Sequence, residues 1–375
     1  MKNLQIALVH DYLQEFGGAE RVILAMHQAF PQAPLYTAFA DLPSLGAFAD
    51  QFAAMDIKQT WLARMPGIKS FRSPYRIFAP AAFKSLDLSA FDVVISSSNV
   101  YHSKSLRLPS TAVHICYCHT PGRSLYGFDD RADYRHRPVM HFLGQVANHF
   151  LRQEDFAAAQ QVDHILVNSQ VVADRVRRFW RRDSEILYPP VSIVDTAPAA
   201  PPASARDTFL YVNRLYAAKH PELAVKAALN LRLPLTVVGT GPLEPHLRAL
   251  AAGHDHIRFA GAIDDDQLRA LYGRALALIY PVADEDFGIV PVEAMACGTP
   301  VLAHRSGGPL ETIKDGTTGL FFDDLTADAV CASVRLFRRR SWDPAAIQAH
   351  AATFSQGHFV AQLRAIVATQ YAKKH

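Results

Sequence analysis

The sequence is short of the residues that mark metal-built or disulfide-built proteins. Only four of its 375 residues are cysteine, and Cys116, Cys118, Cys297 and Cys331 match no metal-ligand spacing. Cys116 and Cys118 stand two apart in an apolar run, on one face of an expected strand, so reduced, buried thiols of a cytoplasmic protein are expected. Charge of one sign is missing too. Lys and Arg number 38 against 35 Asp and Glu, a net +3, which makes no case for nucleic acid. No uncharged run is long enough to span a bilayer. The opening Met1 to Gln5 runs straight into the strand-like Ile6 to Val9, too short for the apolar stretch of a signal peptide. The dinucleotide fingerprint Gly-x-Gly-x-x-Gly is also absent after that strand. His10-Asp11-Tyr12-Leu13 and then Phe16-Gly17-Gly18-Ala19-Glu20-Arg21 stand in its place, which disfavours NAD.

What is present is apolar mass in a regular alternation. Hydrophobic residues make up 50% of a chain too long for one typical core, so two domains are expected. Strand-like runs alternate with helical ones: Ile6 to Val9, Val93 to Ser96, Val113 to Tyr117 and His164 to Val167 in the first half. Phe209 to Val212, Leu235 to Val238, Ile257 to Phe259, Ala275 to Tyr280 and Val301 to Ala303 follow in the second. This is the rhythm of parallel sheets covered by helices. Between the halves, Tyr188-Pro189-Pro190-Val191 and the Pro/Ala-rich stretch from Asp195 to Ala205 cannot pack as helix or strand, and mark a linker. The expected domains are 1–190 and 208–350, joined by a linker over 191–207, with a terminal helical segment at 351–375.

Charge is unevenly spread. Ile57 to Leu86 carries six basic residues, no acidic ones, and interleaved Trp61, Phe71, Tyr75, Phe78 and Phe83. It suits an anionic leaflet, or an ordinary amphipathic surface with snorkelling cations. A second cluster, Arg175 to Arg182 around Phe179 and Trp180, reads as a solvated helix end.

The most informative segment is Asp284-Glu285-Asp286-Phe287-Gly288-Ile289, continuing through Glu293 to Pro300. Ala275 to Tyr280 reads as a strand ended by Pro281, and Ile289 to Ala296 as a short buried helix. The loop between them falls at the carboxyl end of a strand, where open α/β sheets bind ligands. Backbone N–H groups around Phe287, Gly288 and Ile289 at the helix start suit a phosphate, and Gly288 lets it approach. Glu285 precedes the helix and Glu293 lies more than a turn inside it, so they are too far apart for one acid/base pair. Each instead suits sugar hydroxyls. The same residues also suit a helix dipole and a solvated carboxylate. Arg214 and Lys219, with four residues between them after the Phe209 strand, can both reach one diphosphate; surface cations near a helix start are the plainer account. Asp284-Glu285-Asp286 is also literally Asp-x-Asp, a metal-binding pattern, which the Arg214 and Lys219 pair would make redundant.

The Glu285-x7-Glu293 spacing resembles the signature of retaining glycosyltransferases of family 4. That resemblance extends over nearly the whole chain and is closest to bacterial mannosyltransferases of O-antigen and exopolysaccharide assembly. It implies an α/β protein of GT-B fold, two Rossmann-like domains facing each other across a cleft, with the last helix crossing back to the first domain. By this likeness His119, Arg214, Lys219 and Glu285 are catalytic, with Arg214 and Lys219 stabilising the departing diphosphate. Gly17, Gly18, Gly239, Gly241, Ile263, Phe287, Gly288, Ile289 and Glu293 bind the donor, and Arg123 of His119-Thr120-Pro121-Gly122-Arg123 lies on the acceptor side. The turns Ser306 to Glu311 and Asp315 to Leu320 match family turns whose plainer role is close packing. Two departures stand out: Asn213 replaces the usual glycine before Arg214, and Ser124-Leu125-Tyr126 replaces a Tyr-x-Trp that often follows.

The function implied is transfer of a hexose, mannose from GDP-mannose, to a glycan or an undecaprenyl diphosphate-linked acceptor. No cofactor and no metal are expected. The location implied is cytoplasmic, at the inner face of the cytoplasmic membrane. A UDP-sugar transferase, a nucleotide-sugar epimerase of the same fold, and a non-catalytic sugar-nucleotide binding protein are the alternatives.

Overall fold

A computed structural model describes residues 4–127, 138–191 and 206–375. The expected linker lies, from 192 to 205, outside the described residues. The chain divides into two compact units, one of residues 1–190 with 357–375 and the other of residues 191–356. The expected break at 350/351 therefore falls instead at 356/357.

The first unit is built on a seven-stranded, all-parallel sheet. Its strands are β1 (Ile6–His10), β2 (Leu35–Thr37), β3 (Ile57–Gln59), β4 (Val93–Ser98), β5 (Val113–Cys118), β6 (His164–Val167) and β7 (Glu185–Ile186). They lie in the order β3-β2-β1-β4-β5-β6-β7. Every residue of β4 and β5 is buried, as a sheet covered on both faces requires. On one face Leu8, Ile95 and Ile115 pack with Val22 and Met26 of helix α1 (Gly18–Ala29). The C-terminal helix Gln356–Lys374 adds Phe359, Leu363 and Val367 to that same core. Its end is tied down by Lys374 Nζ, which donates to Ala112 O and to the Asp163 carboxylate at 2.6 and 2.7 Å. On the other face, Cys116 and Cys118 pack among Val167, Val172 and Trp180, beside helices α2 (Pro138–Gln160) and α3 (Gln170–Trp180). All four cysteines are free and buried.

The second unit repeats the plan with six parallel strands: β8 (Thr208–Val212), β9 (Leu235–Val238), β10 (Ile257–Gly261), β11 (Ala275–Tyr280), β12 (Val301–His304) and β13 (Gly319–Phe322). Their order is β10-β9-β8-β11-β12-β13. Helices α4 (Pro221–Leu231), α5 (Asp265–Arg274), α6 (Ile289–Ala296) and α7 (Ala327–Phe337) are among those that cover it. In each sheet the chain order reverses beside the first strand, between β1 and β4 and between β8 and β11. Such a reversal opens a crevice at the carboxyl ends of the strands. His10 and Ser97 lie at the first reversal; Asn213, Arg214 and the loop after Tyr280 lie at the second.

Four short strands have no counterpart in the sequence reading: β2, β3, β7 and β13. Ile57-Lys58-Gln59 is a three-residue edge strand with two exposed residues, so no apolar pattern marks it. Gly319 opens β13 because a Cβ there would sit 2.1 Å from the Val301 carbonyl oxygen, and a glycine-led run reads as a turn. Among the described residues no helix is long and apolar enough to cross a membrane.

Most cations of the basic segment are already engaged. Lys69 pairs with Asp41 at 2.8 Å, Lys84 with Glu154 at 2.5 Å, and Arg72 approaches Glu15 at 3.5 Å. Arg76 donates to Ser124 Oγ and Asn148 Oδ1 at 2.6 and 2.7 Å. The apolar side chains are what the segment shows to solvent: Phe71 is 62% exposed, while Ile77 and Phe78 are exposed beside it. In the arginine cluster, Arg182 donates to the carbonyls of Ala159 and Val162 at 2.7 and 2.8 Å, capping the end of α2.

Candidate functional site

In the second unit the loop after β11 and the loop after β8 are brought together. Lys219 Nζ donates to Glu285 Oε2, and the Tyr280 hydroxyl donates to the same oxygen at 3.1 Å. Both side chains are largely covered. The carboxylate is thus held by an ammonium and a phenol from two different segments. Tyr280 stays a phenol: burial, then the Glu285 charge, push its pKa well above the ordinary range. Glu293 is held in the same way. The Tyr272 hydroxyl donates to its Oε2 at 3.0 Å, and burial followed by the Glu293 charge raises the Tyr272 pKa. Glu293 is therefore a braced, half-buried residue, not a solvated one. The two tyrosines carry no signal in a sequence scan, because each ends or follows an ordinary apolar run.

Arg214 is exposed, and its backbone N–H donates to Asn213 Oδ1 at 2.9 Å. Asn213 does not adopt the left-handed backbone that glycine favours, so its side chain, not conformational freedom, shapes the turn. Gly239 and Gly241 serve this turn. A Cβ on Gly239 would lie 2.0 Å from Asn213 O, and one on Gly241 2.5 Å from Leu215 O. The close approach of the Arg214 loop to their backbone by itself requires glycine at both positions. Gly307 and Gly308 do the same for the other loop, with Cβ positions 2.5 Å from Glu285 O and 2.4 Å from Phe287 Cα.

Gly288 is the N-cap of α6, in left-handed conformation (φ 85°), and no side chain caps that helix. Ile289 begins it, half-buried. Phe287 is only 3% exposed and its ring packs edge-on against Phe354, centroids 5.8 Å apart; the expectation for this residue concerns its backbone N–H at the helix start. Ile263 lies half-buried beyond β10. The acids after it cap a helix, with Asp264 Oδ1 accepting from Gln267 N at 2.7 Å. Asp284 takes a left-handed backbone (φ 50°) and its N–H donates to Ser306 Oγ at 3.0 Å. Among the described residues no group of three His, Cys, Asp or Glu side chains is placed to hold a metal ion.

In the first unit His119 follows β5 and is 9% exposed. Its Nε2 lies 2.8 Å from Ser97 Oγ, and Asn168 Nδ2 donates to its carbonyl at 2.9 Å. Burial, then the neighbouring His10, push its pKa down to about 4 against the raising effect of Glu20 and Asp11, so the ring is neutral at neutral pH. Gly17 and Gly18 stand at the start of α1, where no side chain accepts from the first-turn N–H groups, but a carboxylate lies close by. Glu20 Oε2 accepts from Gly17 N at 2.9 Å. A buried carboxylate there opposes a phosphate and leaves the neutral sugar alternative. Asp11, missed by the sequence reading, accepts from the backbone of Asn99, Tyr101 and Ser103 at 2.8 to 3.1 Å, fixing the loop after β4. Arg123 opens the turn Arg123–Tyr126, and Thr120 Oγ1 accepts from Arg175 at 3.0 Å.

Comparison with known proteins covers both units. Residues 16–194 match the family described as Glycosyltransferase Family 4, and residues 196–347 match Glycosyl transferases group 1. A D-inositol 3-phosphate glycosyltransferase of Acidothermus cellulolyticus is 31% identical over 49% of this chain and 50% of its own; the chain spans about half the length of such relatives. The alpha-1,3/1,6-mannosyltransferase ALG2 of Mus musculus is 25% identical over 81% of this chain and 80% of its own. In fold, the chain resembles sucrose-phosphate synthase from Thermosynechococcus elongatus, with TM-score 0.69 at 19% identity over 98% of this chain and 100% of that one. Anabaena HepE in complex with UDP and glucose gives TM-score 0.67 at 15% identity, with coverage of 98% and 100%.

Proposed function

The chain belongs to glycosyltransferase family 4, with the GT-B fold, and from that premise we propose that it moves a hexosyl unit from a nucleotide sugar to a glycan hydroxyl with retention of configuration. The observation that carries the proposal is the braced pair of carboxylates beside two cations: Glu285 held by Lys219 and Tyr280, Glu293 held by Tyr272, with Arg214 exposed on the adjoining loop. In the reaction the bond from the anomeric carbon to the diphosphate oxygen breaks, the acceptor oxygen bonds to that carbon, and the acceptor's proton passes to the released diphosphate oxygen. The charge that develops on the departing diphosphate is met by Arg214, by the N–H donors Lys219 has beyond its bond to Glu285, and by the uncapped start of α6. Glu285 and Glu293 accept from hydroxyls of the sugar and ribose, and His119 meets a hydroxyl of the sugar. No carboxylate is assigned as a nucleophile.

Mannose from GDP-mannose is the donor of this reading. The mannosyl part is supported by the mannosyltransferase that aligns with four fifths of the chain; the GDP carrier comes from the resemblance to the bacterial mannosyltransferase subgroup. A UDP-sugar is the second reading, favoured by the neighbour solved with UDP and glucose. A panel of nucleotide sugars, scored for product with and without an undecaprenyl diphosphate-linked glycan, separates these. Product from GDP-mannose only with acceptor supports the proposal. Conversion of the sugar without acceptor would support an epimerase instead, and release of no nucleotide from any donor a binding protein.

Metal independence follows from the same pairing. Arg214 and Lys219 supply the positive charge that a divalent ion would bring to the diphosphate, so the expected outcome with a chelator is unchanged turnover. Abolition by the chelator with rescue by Mn²⁺ or Mg²⁺ would refute it.

Peripheral contact with the cytoplasmic membrane face, where a lipid-linked acceptor would lie, is part of this reading. Because Lys69, Arg72 and Arg76 already have partners, the exposed Phe71, Ile77 and Phe78 are assigned the contact. Phe71→Ser with Phe78→Ser is expected to weaken flotation with anionic liposomes more than replacing those cations does; equal flotation of all variants would discard it.

A further inference from the structure

We propose that Glu20, His10 and Ser97 form a hydrogen-bonded relay that sets the tautomer of His119, so that His119 offers an accepting Nδ1 to a hydroxyl of the bound sugar. The inference rests on the reading of His119 as a sugar-contacting residue and adds three positioning residues and a chemical requirement on the ligand.

Four elements bring the relay together. Glu20 lies in the first turn of α1, His10 ends β1, Ser97 lies near the end of β4, and His119 follows β5. His10 and Ser97 are register partners on neighbouring parallel strands, which places both side chains on one face of the sheet. Ser97 Oγ lies 3.1 Å from His10 Nδ1 and 2.8 Å from His119 Nε2. His10 Nε2 lies 3.4 Å from Glu20 Oε1. Ser97 is fully buried, and His10 and Glu20 are 2% and 7% exposed, so water does not compete for these bonds.

Counting hydrogens gives the relay a direction. A serine hydroxyl has one proton, so Ser97 donates to one imidazole and accepts from the other. Glu20 is acceptor-only as a carboxylate, and its other oxygen is committed to Gly17 N. It therefore draws the single ring proton of His10 onto Nε2. His10 Nδ1 is then a bare acceptor, Ser97 donates to it, and Ser97 Oγ accepts from His119 Nε2–H. That leaves the lone pair of His119 on Nδ1, the ring nitrogen that faces no hydrogen-bond partner among the described residues. A ligand group that donates, such as a hydroxyl, fits there. A carbonyl, carboxylate or phosphate oxygen finds lone pair against lone pair. The relay thus favours an unoxidised sugar hydroxyl and disfavours the anionic part of the donor at this position.

The tautomer is measured directly in the ligand-free protein by two-bond ¹H–¹⁵N correlation spectra of ¹⁵N-histidine-labelled enzyme, with His119 assigned by His119→Asn. The expected result is His119 protonated at Nε2, with Glu20→Gln and Ser97→Ala each shifting it toward a mixture while circular dichroism shows the fold retained. His119 protonated at Nδ1 in the wild type, or an unchanged His119 signal in the variants, overturns the proposal. Should Ser97→Ala fail to fold, Glu20→Gln decides alone. Transfer activity is the second readout. Partners that orient a ligating histidine elsewhere are worth ~10–100-fold, and a loss of that order in kcat is expected for Glu20→Gln. A relay seen in the spectra with no transfer from any donor would leave the relay standing and remove the glycosyltransferase reading, so the two fail separately.

Discussion

At the scale of single residues, Lys219 carries the most weight. Its ammonium is the one that joins the β8 loop to the β11 loop through Glu285, and its remaining N–H donors are assigned to the diphosphate. Lys219→Ala takes from Glu285 its bond to the ammonium, and removes a cation from the transition state. A loss of ~10²-fold or more in kcat is expected, measured by product formation at saturating donor; near-normal turnover would sink the assignment. The motif residues Arg214, Lys219, Glu285, Glu293 and His119 were legible because ionisable groups at fixed spacing stand out beside strand exits. Their supports were not. Tyr280 and Tyr272 look like ordinary apolar positions, and Ser97 is one of three consecutive serines in a buried strand. Each acquires its role only when the sheet sets its register against a neighbour. Phe287 shows the opposite limit, because its place beside Gly288 gave no sign that its ring turns inward onto Phe354.

Secondary-structure elements explain why the glycines matter where no ligand touches them. Gly239 ends β9 with φ 121°, and a Cβ there would meet the Asn213 backbone at 2.0 Å. A methyl group cannot be relieved by a rotamer change, since the opposing atom is a carbonyl oxygen. Gly239→Ala must therefore displace either the β9 turn or the Arg214 loop. Destabilisation of about 1–3 kcal/mol is expected from the overpacking and the backbone strain together, read as a lowered midpoint in urea. Weakened donor binding should accompany it, because Arg214 follows Asn213. A variant as stable and as active as the parent would show that the loop yields freely. Strands were legible at this scale where an apolar run had no glycine at its head: His164–Val167, Leu235–Val238 and Ala275–Tyr280 have the ends expected of them. The short edge strands were hidden, since Ile57-Lys58-Gln59 buries too little to leave a pattern. The glycine turn after β9 was visible as a turn, yet its cause lay in a segment more than twenty residues away.

For the molecule as a whole, buried histidines make stability depend on pH. His114 lies within β5, 4% exposed, its Nε2 2.9 Å from Ser96 Oγ. Burial pushes its pKa down to about 4, and Lys104 and Lys374 add to the fall against the pull of Asp163. His119, one residue beyond the same strand, is pushed down to about 4 as well. Both have an ordinary value of 6.5. Below pH 6.5 the unfolded chain takes up protons that the folded chain refuses, so folding becomes less favourable as pH falls. The stabilisation from keeping these rings neutral is full above pH 6.5 and is lost progressively toward pH 4. At ~1.4 kcal/mol per pKa unit, each histidine forgoes roughly 2 kcal/mol by pH 5. That is a large share of the roughly 5–15 kcal/mol typical of a folded domain. Both rings belong to the first unit, so its melting transition should fall by several degrees between pH 7.5 and pH 5, a window above most carboxylate titration. In His114→Gln the amide can still bond Ser96 but takes up no proton, and the fall should shrink by about a third, because buried His102 of the same unit is also pushed down to about 4. Calorimetric scans of both proteins at the two pH values check this. A wild-type transition that does not move would mean that the strand admits a protonated ring at little cost, and that burial of His114 and His119 is not what keeps them neutral.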